Sequence, residues 1–367
     1  MSLVYRCRCT LTAIGREADG WRIIDGQAIS QEDVGLNDIA GRIAVVTGGG
    51  TGMGRELALA LAKQGAHVAM CDVSEENMAE TQTLCAAAAP PGTRITTFRC
   101  DVSIEAQMLA FRDAVIAEHA TDHIHLLFNN AGIGGGGSFV SGDRDIWEKT
   151  FAVCWHGVYY GARAFLPLLI SGPGGHIVNT SSVNGFWASL GPGIPHTSYS
   201  AAKFAVKGFT EALINDLRIN APHVQAHVVM PGHIGTSIAI NSGKVLGTAP
   251  DDLGPEEIAA YREQFVAAGM PVGNESDDHI RDLMRAQGER FRDSAPMTAA
   301  TAAEIILREM HAGNWRILVG EDAHKLDATV RQDPTVAYDD DFMQRLQSQG
   351  VFTEINESLQ GSPTQQS

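Results

Sequence analysis

The chain has 367 residues, 44% of them hydrophobic, and a formal net charge of −16. That apolar content is ample for a packed core and excludes disorder throughout. The acidic balance argues against nucleic acid or an anionic membrane as partner, because phosphate binding needs a basic surface. No apolar run reaches the ~18–20 residues of a membrane span. Met1 to Thr12 carries arginines but neither the apolar h-region nor the cleavage site of a signal peptide. The six cysteines, at Cys7, Cys9, Cys71, Cys85, Cys100 and Cys154, are scattered rather than arrayed as a disulfide framework, which points to a reducing, cytoplasmic setting. Cys7-Arg8-Cys9 and the pair His123 and His125 lack the further ligands of a zinc site, so no metal is expected.

In chain order, residues 1–40 lack the strand–helix alternation that begins after them. Leu3 to Ile14 alternates loosely, and Ala18-Asp19-Gly20 is placed to turn a hairpin toward Trp21-Arg22-Ile23-Ile24. A small β appendage or a flexible leader is expected there. From Arg42-Ile43-Ala44-Val45-Val46 onward, strands and helices alternate. Helices are expected over Gly54 to Gln64, Ser74 to Ala88 and Ser103 to His119. Strands are expected over His67 to Cys71, Ile95 to Cys100, His125 to Phe128, His176 to Asn179, Gln225 to Val229 and Arg316 to Val319. These runs are short and nearly unbroken in apolar residues, as when helices cover both faces of a parallel sheet. The pattern predicts one α/β domain over 41–322, a Rossmann-type doubly wound sheet of about seven parallel strands with right-handed crossovers. Ile238 to Pro296 interrupts the rhythm with Gly, Pro and acidic residues around helical segments at Pro255 to Ala268 and Ser276 to Phe291, and reads as an enlarged lid (238–296) over a substrate. A C-terminal extension (323–367) turns polar beyond Leu346 and ends as a mobile tail.

The first strand feeds into Thr47-Gly48-Gly49-Gly50-Thr51-Gly52-Met53-Gly54, with a helix after it. Gly48 permits a tight turn, Gly52 lets backbone approach a pyrophosphate, and Gly54 lets the helix pack on the sheet, while the helix N-terminus offers N–H groups to phosphates. Asp72 ends the second strand, where an acid accepts hydrogen bonds from the adenosine ribose hydroxyls and repels a 2′-phosphate. Val73 comes next, and no Lys or Arg lies among Gly49, Gly50 and Thr51, so NAD(H) is favoured over NADP(H). Asp101-Val102 is expected near the adenine.

Tyr199 and Lys203 lie one helical turn apart. Tyrosine is a poor base unaided, with a reference pKa near ~10. A lysine ammonium one turn away, together with a positive nicotinamide, stabilises the phenolate. The Ser182 hydroxyl is placed to hold a substrate oxygen against Tyr199.

From about Ala40 to about Asp322 the chain resembles the short-chain dehydrogenase/reductase superfamily, with motifs in family order. These are TGxxxGxG at Thr47 to Gly54, Asp72, Asp101-Val102, Asn129-Asn130-Ala131-Gly132, Ser182, the Tyr199/Lys203 pair, and Pro231-Gly232-His233-Ile234-Gly235-Thr236. The resemblance implies that Lys203 also binds the nicotinamide ribose. It implies too that the Asn129 to Gly132 turn supports the central sheet, with Asn130, Ala131 and Gly132 beside the cofactor. Pro231, Gly232, Ile234 and Thr236 would line the nicotinamide side, with Thr236 toward the carboxamide. Members commonly pair the helices corresponding to Trp147 to Leu169 and Tyr199 to Arg218, so a homodimer or homotetramer is expected.

Two departures stand out. Where the family has asparagine in a VNxxG pattern, holding a water that passes protons to the lysine, this chain reads Val153-Cys154-Trp155-His156-Gly157. Cys154 lacks the amide's set of donors and acceptors. The segment from Ser182 to Tyr199 is also longer than usual and contains Gly191-Pro192-Gly193-Ile194-Pro195-His196, and the lid is enlarged. Both border the substrate position, as does Gly134-Gly135-Gly136-Gly137; these lengths serve either a larger pocket or contacts between subunits. The expected activity is NAD-dependent interconversion of a secondary alcohol and its ketone, with Ser182, Tyr199, Lys203 and position 154 as the catalytic set. Phe186, Trp187, Leu190, Ile194 and Ile238 suggest a hydrophobic small-molecule substrate. The alternatives are an NAD-binding regulatory or scaffold protein with impaired catalysis, and epimerisation or dehydration through a transient ketone on the same site.

Overall fold

Seven short apolar runs become the strands of one parallel sheet: β3 (Ile43–Thr47), β4 (His67–Asp72), β5 (Ile95–Arg99), β6 (Leu126–Asn129), β7 (Gly175–Thr180), β8 (Val224–Pro231) and β11 (Arg316–Val319). They are seen in a computed structural model that describes residues 21–24, 27–30, 39–135, 137–191, 195–267 and 270–351. The order across the sheet is β5-β4-β3-β6-β7-β8-β11, with every neighbouring pair parallel. The chain winds outward one way from β3 and then the other way from β6. At such a switch point the crossover helices diverge and leave a cleft beyond the strands' carboxyl ends. Every residue of β3, β6 and β7 is buried, which accounts for their unbroken apolar runs.

Helices α1 (Gly52–Lys63), α2 (Glu75–Ala88) and α3 (Glu105–His119) follow β3, β4 and β5. After β6 come α4 (Arg144–Phe151), a π-helical turn (Ala152–His156) and α5 (Gly157–Ile170) in one continuous run. The 24-residue α6 (Thr197–Asn220) crosses from β7 to β8. One large cluster, including Val45, Phe111, Leu127, Cys154, Phe165 and Leu217, fills the space between the sheet and α3, α5 and α6. Among the described residues no helix is long and apolar enough to cross a membrane.

The expected lid contains α7 (Ile238–Leu246), which the sequence did not announce, then α8 (Pro255–Ala267) and α9 (Asp277–Asp293). It has its own small core of Leu253, Ile258, Phe265, Val272 and Ile280. Its two ends are tied by a short parallel pairing of β9 (Ile234–Gly235) with β10 (Met297–Thr298). Helix α10 (Ala299–His311) then leads to β11. Beyond β11 lie α11 (Glu321–Gln332), a 3₁₀ turn (Pro334–Val336) and α12 (Phe342–Ser348), and Val351 is fully buried.

Contacts divide the chain into residues 1–37 and 38–367. In the first unit β1 (Trp21–Ile24) pairs antiparallel with β2 (Gln27–Ser30), Ile24 opposite Gln27. The strand described as pairing with Trp21–Ile24 is thus the one that follows it in sequence. Ala18-Asp19-Gly20, Cys7, Cys9, Gly136, Pro192, Gly193, Ile194, Ala268 and residues 352–367 lie outside the described residues.

Candidate active site

The glycine loop leaves β3 through two left-handed residues, Gly48 (φ 69°) and Gly52 (φ 55°). A Cβ on Gly54 would lie 1.9 Å from the Gly48 carbonyl oxygen, so only glycine lets α1 start this close to the strand. Thr51 stands at the N-cap with no side-chain capping bond, and no acid occupies the first turn of α1, which includes Met53. The N-terminal N–H groups and the positive end of the helix are thus open to an anion such as a pyrophosphate.

Asp72 lies beside this loop. One carboxylate oxygen accepts from Gly50 N at 3.0 Å and the other from Ser74 N at 3.1 Å, which fixes the group and leaves lone pairs for hydroxyl donors. Val73 next to it is 41% exposed. Arg55, which sequence reading missed, reaches back from α1 to the Gly50 carbonyl at 2.8 Å and pairs with Glu80 at 2.6 Å. Its guanidinium is committed to bracing the loop. Asp101 pairs with Lys149 at 2.6 Å and accepts from Ser103. Burial pushes the Asp101 carboxyl up, but the bonds from Lys149 and Ser103 outweigh it and hold the group below the usual carboxylate range. Val102 is buried against Gly157, where a Cβ would approach it to 2.7 Å.

The turn after β6 is held by the first strand of the sheet: Thr47 Oγ1 accepts from Asn130 N (3.0 Å) and Ala131 N (3.1 Å). Asn129 donates to Asn179, which donates in turn to Thr210 on α6 (2.8 and 3.0 Å), tying β6, β7 and α6 together. At Gly132 a Cβ would come within 3.4 Å of Lys203 Nζ.

Ser182, Tyr199 and Lys203 converge beside this turn. Lys203 is 2% exposed and donates from Nζ to Thr180 O at 2.8 Å, and Nζ lies 5.3 Å from the Tyr199 ring centroid. Burial pushes the Tyr199 phenol above its ordinary value, Cys154 adds to this, and a hydrogen bond with Ser182 pulls the other way. Burial lowers the Lys203 ammonium. Proton transfer at Tyr199 Oη, with Ser182 as neighbouring donor, is the chemistry this arrangement allows. His196, which no motif singled out as a site residue, lies against Tyr199 with ring centroids 4.7 Å apart and planes tilted by 35°, and burial lowers its pKa to about 4, so it is a neutral imidazole at neutral pH.

Cys154 sits in the π-helical turn, fully buried, with its thiol donating to Ile133 O at 3.1 Å. Burial raises its pKa and Lys203 lowers it, with a net rise. A protonated buried thiol is no nucleophile; its role here is to donate to the turn after β6. Cys154→Ala is expected to cost about 1–3 kcal/mol of stability by orphaning that carbonyl, and Cys154→Ser markedly less. Urea denaturation of the two variants measures the difference, and equal losses would refute the role.

Pro231 to Thr236 runs from β8 into β9. Asp322 at the start of α11 accepts from His233 N at 2.7 Å, and a Cβ on Gly232 would strike its carboxylate at 2.1 Å. Ile234 is buried, and Thr236 faces Gly52, where a Cβ would meet the threonine at 3.2 Å. Helix α7 bridges the site: Asn241 donates to Thr51 Oγ1 (3.1 Å) and Ser242 Oγ accepts from Gly134 N (2.8 Å). Ile238 and Leu190 are half-buried, whereas Trp187 is 2% exposed and packs with Phe186 into a cluster with the C-terminal helices. Neither Asn241, Asp322 nor Arg55 belongs to a local motif, so no sequence signal marked them.

Residues 42–245 match the family model for short chain dehydrogenase. The chain is similar to the oxidoreductase SadH of Mycobacterium tuberculosis, with 32% identity over 81% of this chain and 92% of that protein. Dehydrogenase/reductase SDR family member 11 of Homo sapiens is 31% identical over 61% of this chain and 82% of that protein. Among solved structures, a short chain dehydrogenase/reductase from Burkholderia phymatum in complex with NAD superimposes with a TM-score of 0.64 at 30% identity, covering 82% of this chain and 95% of that one. The chain belongs to the short-chain dehydrogenase/reductase superfamily of oxidoreductases.

Proposed function

We propose that the protein is an NAD(H)-dependent oxidoreductase that interconverts a secondary alcohol and its ketone. The observation that carries this reading is the convergence of Tyr199, hydrogen-bonded to Ser182 and flanked by buried Lys203, on the cleft that holds the glycine loop. The bound dinucleotide supplies the hydride acceptor or donor. Its pyrophosphate fits the uncapped start of α1, and its adenosine ribose fits the free lone pairs of Asp72. Lys203 would bind the nicotinamide ribose through Nζ, and Pro231, Gly232, Ile234 and Thr236 would line the nicotinamide side. Ser182 holds the substrate oxygen, and Tyr199 Oη gives it a proton in reduction or takes one in oxidation. Burial holds the phenol above its ordinary value, so oxidation, which needs the phenolate as base, is expected to speed up as pH rises.

The Burkholderia phymatum relative was solved in complex with NAD, which supports this choice of cofactor. Asp72 supports NAD over NADP, since a 2′-phosphate would meet a fixed carboxylate and Arg55 is already paired with Glu80. Half-exposed Tyr159 on α5 and Phe204 on α6 suit pairing of these helices in a homo-oligomer. The scaffold alternative has Cys154 as its one support, and the thiol's bond to Ile133 O gives that residue a structural role instead.

The test is nicotinamide absorbance with NAD⁺ or NADP⁺ against cyclic, aromatic and aliphatic secondary alcohols. Turnover is expected with NAD⁺ at least about tenfold better in kcat/KM than with NADP⁺, and Asp72→Ser is expected to erase most of that gap. A native preference for NADP⁺ would overturn the Asp72 argument, and NADH binding without turnover on any alcohol would favour a non-catalytic role.

A further inference from the structure

Ser182 opens a short 3₁₀ turn, Val183–Gly185, and its hydroxyl oxygen accepts from Asn184 N at 3.1 Å. That acceptor bond orients the hydroxyl and leaves its hydrogen free to be donated. The Asn184 side chain is 3% exposed and donates to Trp187 O at 3.0 Å and Ser189 O at 2.8 Å, closing the loop on itself. The loop is held from outside by the C-terminal segment. Trp187 donates from its indole to Ala337 O at 2.8 Å, and Ala188 N donates to the Tyr338 hydroxyl at 3.0 Å. Val183 and Trp187 share an apolar cluster with Ala323, Leu326, Phe342 and Leu346. On its inner side the turn rests on α6: a Cβ on Gly185 would lie 2.8 Å from Lys203 O. A segment with no ladder of its own is thus clamped between the helix that carries Tyr199 and Lys203 and a C-terminal segment beyond the 42–245 family match.

We propose that Asn184 and Trp187 are positioning residues for the Ser182 hydroxyl, and that the Pro334–Val351 segment is a clamp that holds the substrate-binding serine in place. This rests on the role given above to Ser182. The physical reason is that a hydroxyl on an irregular loop stays within hydrogen-bond reach of a substrate oxygen only if the loop backbone is held, and small misplacements cost rate steeply. Here the holding groups come from a part of the chain 150 positions away. The clamp bears on orientation of the substrate oxygen and not on the dinucleotide, whose loop lies on β3 and α1.

Two variants test it. Trp187→Phe keeps an aromatic ring in the cluster while removing the indole donor and part of the buried ring volume, and Tyr338→Phe alters a residue that is 62% exposed and is expected to fold normally. Trp187→Phe is expected to lower kcat about 5–30-fold with KM and NADH affinity changed less than about threefold, and Tyr338→Phe to lower kcat by a smaller factor. In a Ser182→Ala background the same changes are expected to cost less than about twofold, because the group they position is gone. Amide exchange, which needs no turnover, is expected to quicken at least about tenfold across 182–190 in Trp187→Phe while β3 and α1 stay protected. Unchanged exchange across 182–190, or equal rate losses with and without Ser182, would overturn the clamp. Full activity of Ser182→Ala itself would instead overturn the role of Ser182 in the reaction, whatever the exchange data show.

Discussion

Tyr199→Phe is expected to lower turnover about 10²–10⁴-fold while leaving NADH affinity within about threefold. The substitution removes one oxygen and keeps the ring that packs against His196 and lies 5.3 Å from Lys203 Nζ, so packing around the site is preserved. What is lost is the phenolic oxygen proposed to exchange a proton with the substrate oxygen. Neither Cys154 nor Lys203 is placed to substitute for it. Cys154 is a buried, protonated thiol turned to Ile133 O, and Lys203 donates to Thr180 O. Ser182 remains as a hydrogen-bond donor, which accounts for a residual rate. Single-turnover absorbance with a substrate from the alcohol panel measures the effect. A loss smaller than about tenfold would remove Tyr199 from the chemistry and with it the proposed reaction.

The protein is expected to lose stability steeply as pH falls from about 6.5 to 4, through histidines buried in neutral form. His125 Nδ1 accepts from Ile43 N at 3.1 Å, a bond that a proton on that nitrogen would destroy. His227 Nδ1 faces Asn314 O at 2.8 Å and so carries its hydrogen there, which makes its Nε2 the acceptor for His176 Nδ1 at 2.9 Å. A second proton between the two rings would set N–H against N–H. Burial, aided by neighbouring positive groups, lowers His125 to about 4. Burial likewise lowers His227 to about 4 and His176 to about 3, with each pKa depressed further by neighbouring histidines. In the unfolded chain these groups take up protons near ~6.5, so below that pH the unfolded state binds more protons and folding weakens, while above it the full stability is present. With His125, His176 and His227 each neutral in the folded chain and protonated in the unfolded one, the slope approaches about 4 kcal/mol per pH unit. Urea midpoints between pH 7 and 4.5 check the slope, and a flat profile down to pH 5 would contradict it.

The strand and helix order was legible because it is written locally. Val45 and Val46, Leu126 and Leu127, and Ile177 and Val178 lie on strands buried on both faces, so an unbroken apolar run is the physical requirement and not merely a correlate. Gly48, Gly52 and Gly54 were legible for the same reason: a left-handed backbone favours glycine at the first two, and a 1.9 Å clash with the Gly48 carbonyl bars a side chain at Gly54. The departure at Cys154 was visible as a letter but not as a contact. Whether a thiol there is disabled or merely bonded differently depends on where the Ile133 carbonyl lies, and the π-helical turn that carries Cys154 to it left no mark in the spacing. An apolar residue near Ser182 suggests a pocket wall, yet Trp187 is buried under α12, a helix that arrives much later in the chain.

By itself, the sequence determined the doubly wound sheet, the dinucleotide-type loop and the Ser182, Tyr199 and Lys203 set, all of which follow from short-range periodicity, backbone sterics and fixed spacing. Only the tertiary structure decided that Asn241 reaches Thr51 across 190 positions, that Arg55 is spent on Glu80, and that Ala337 holds the loop behind Ser182. Such contacts depend on how the crossovers stack and on which side chains fill the gaps between them. A pairing between distant residues imposes no period on either neighbourhood, so it exists only once the chain is folded.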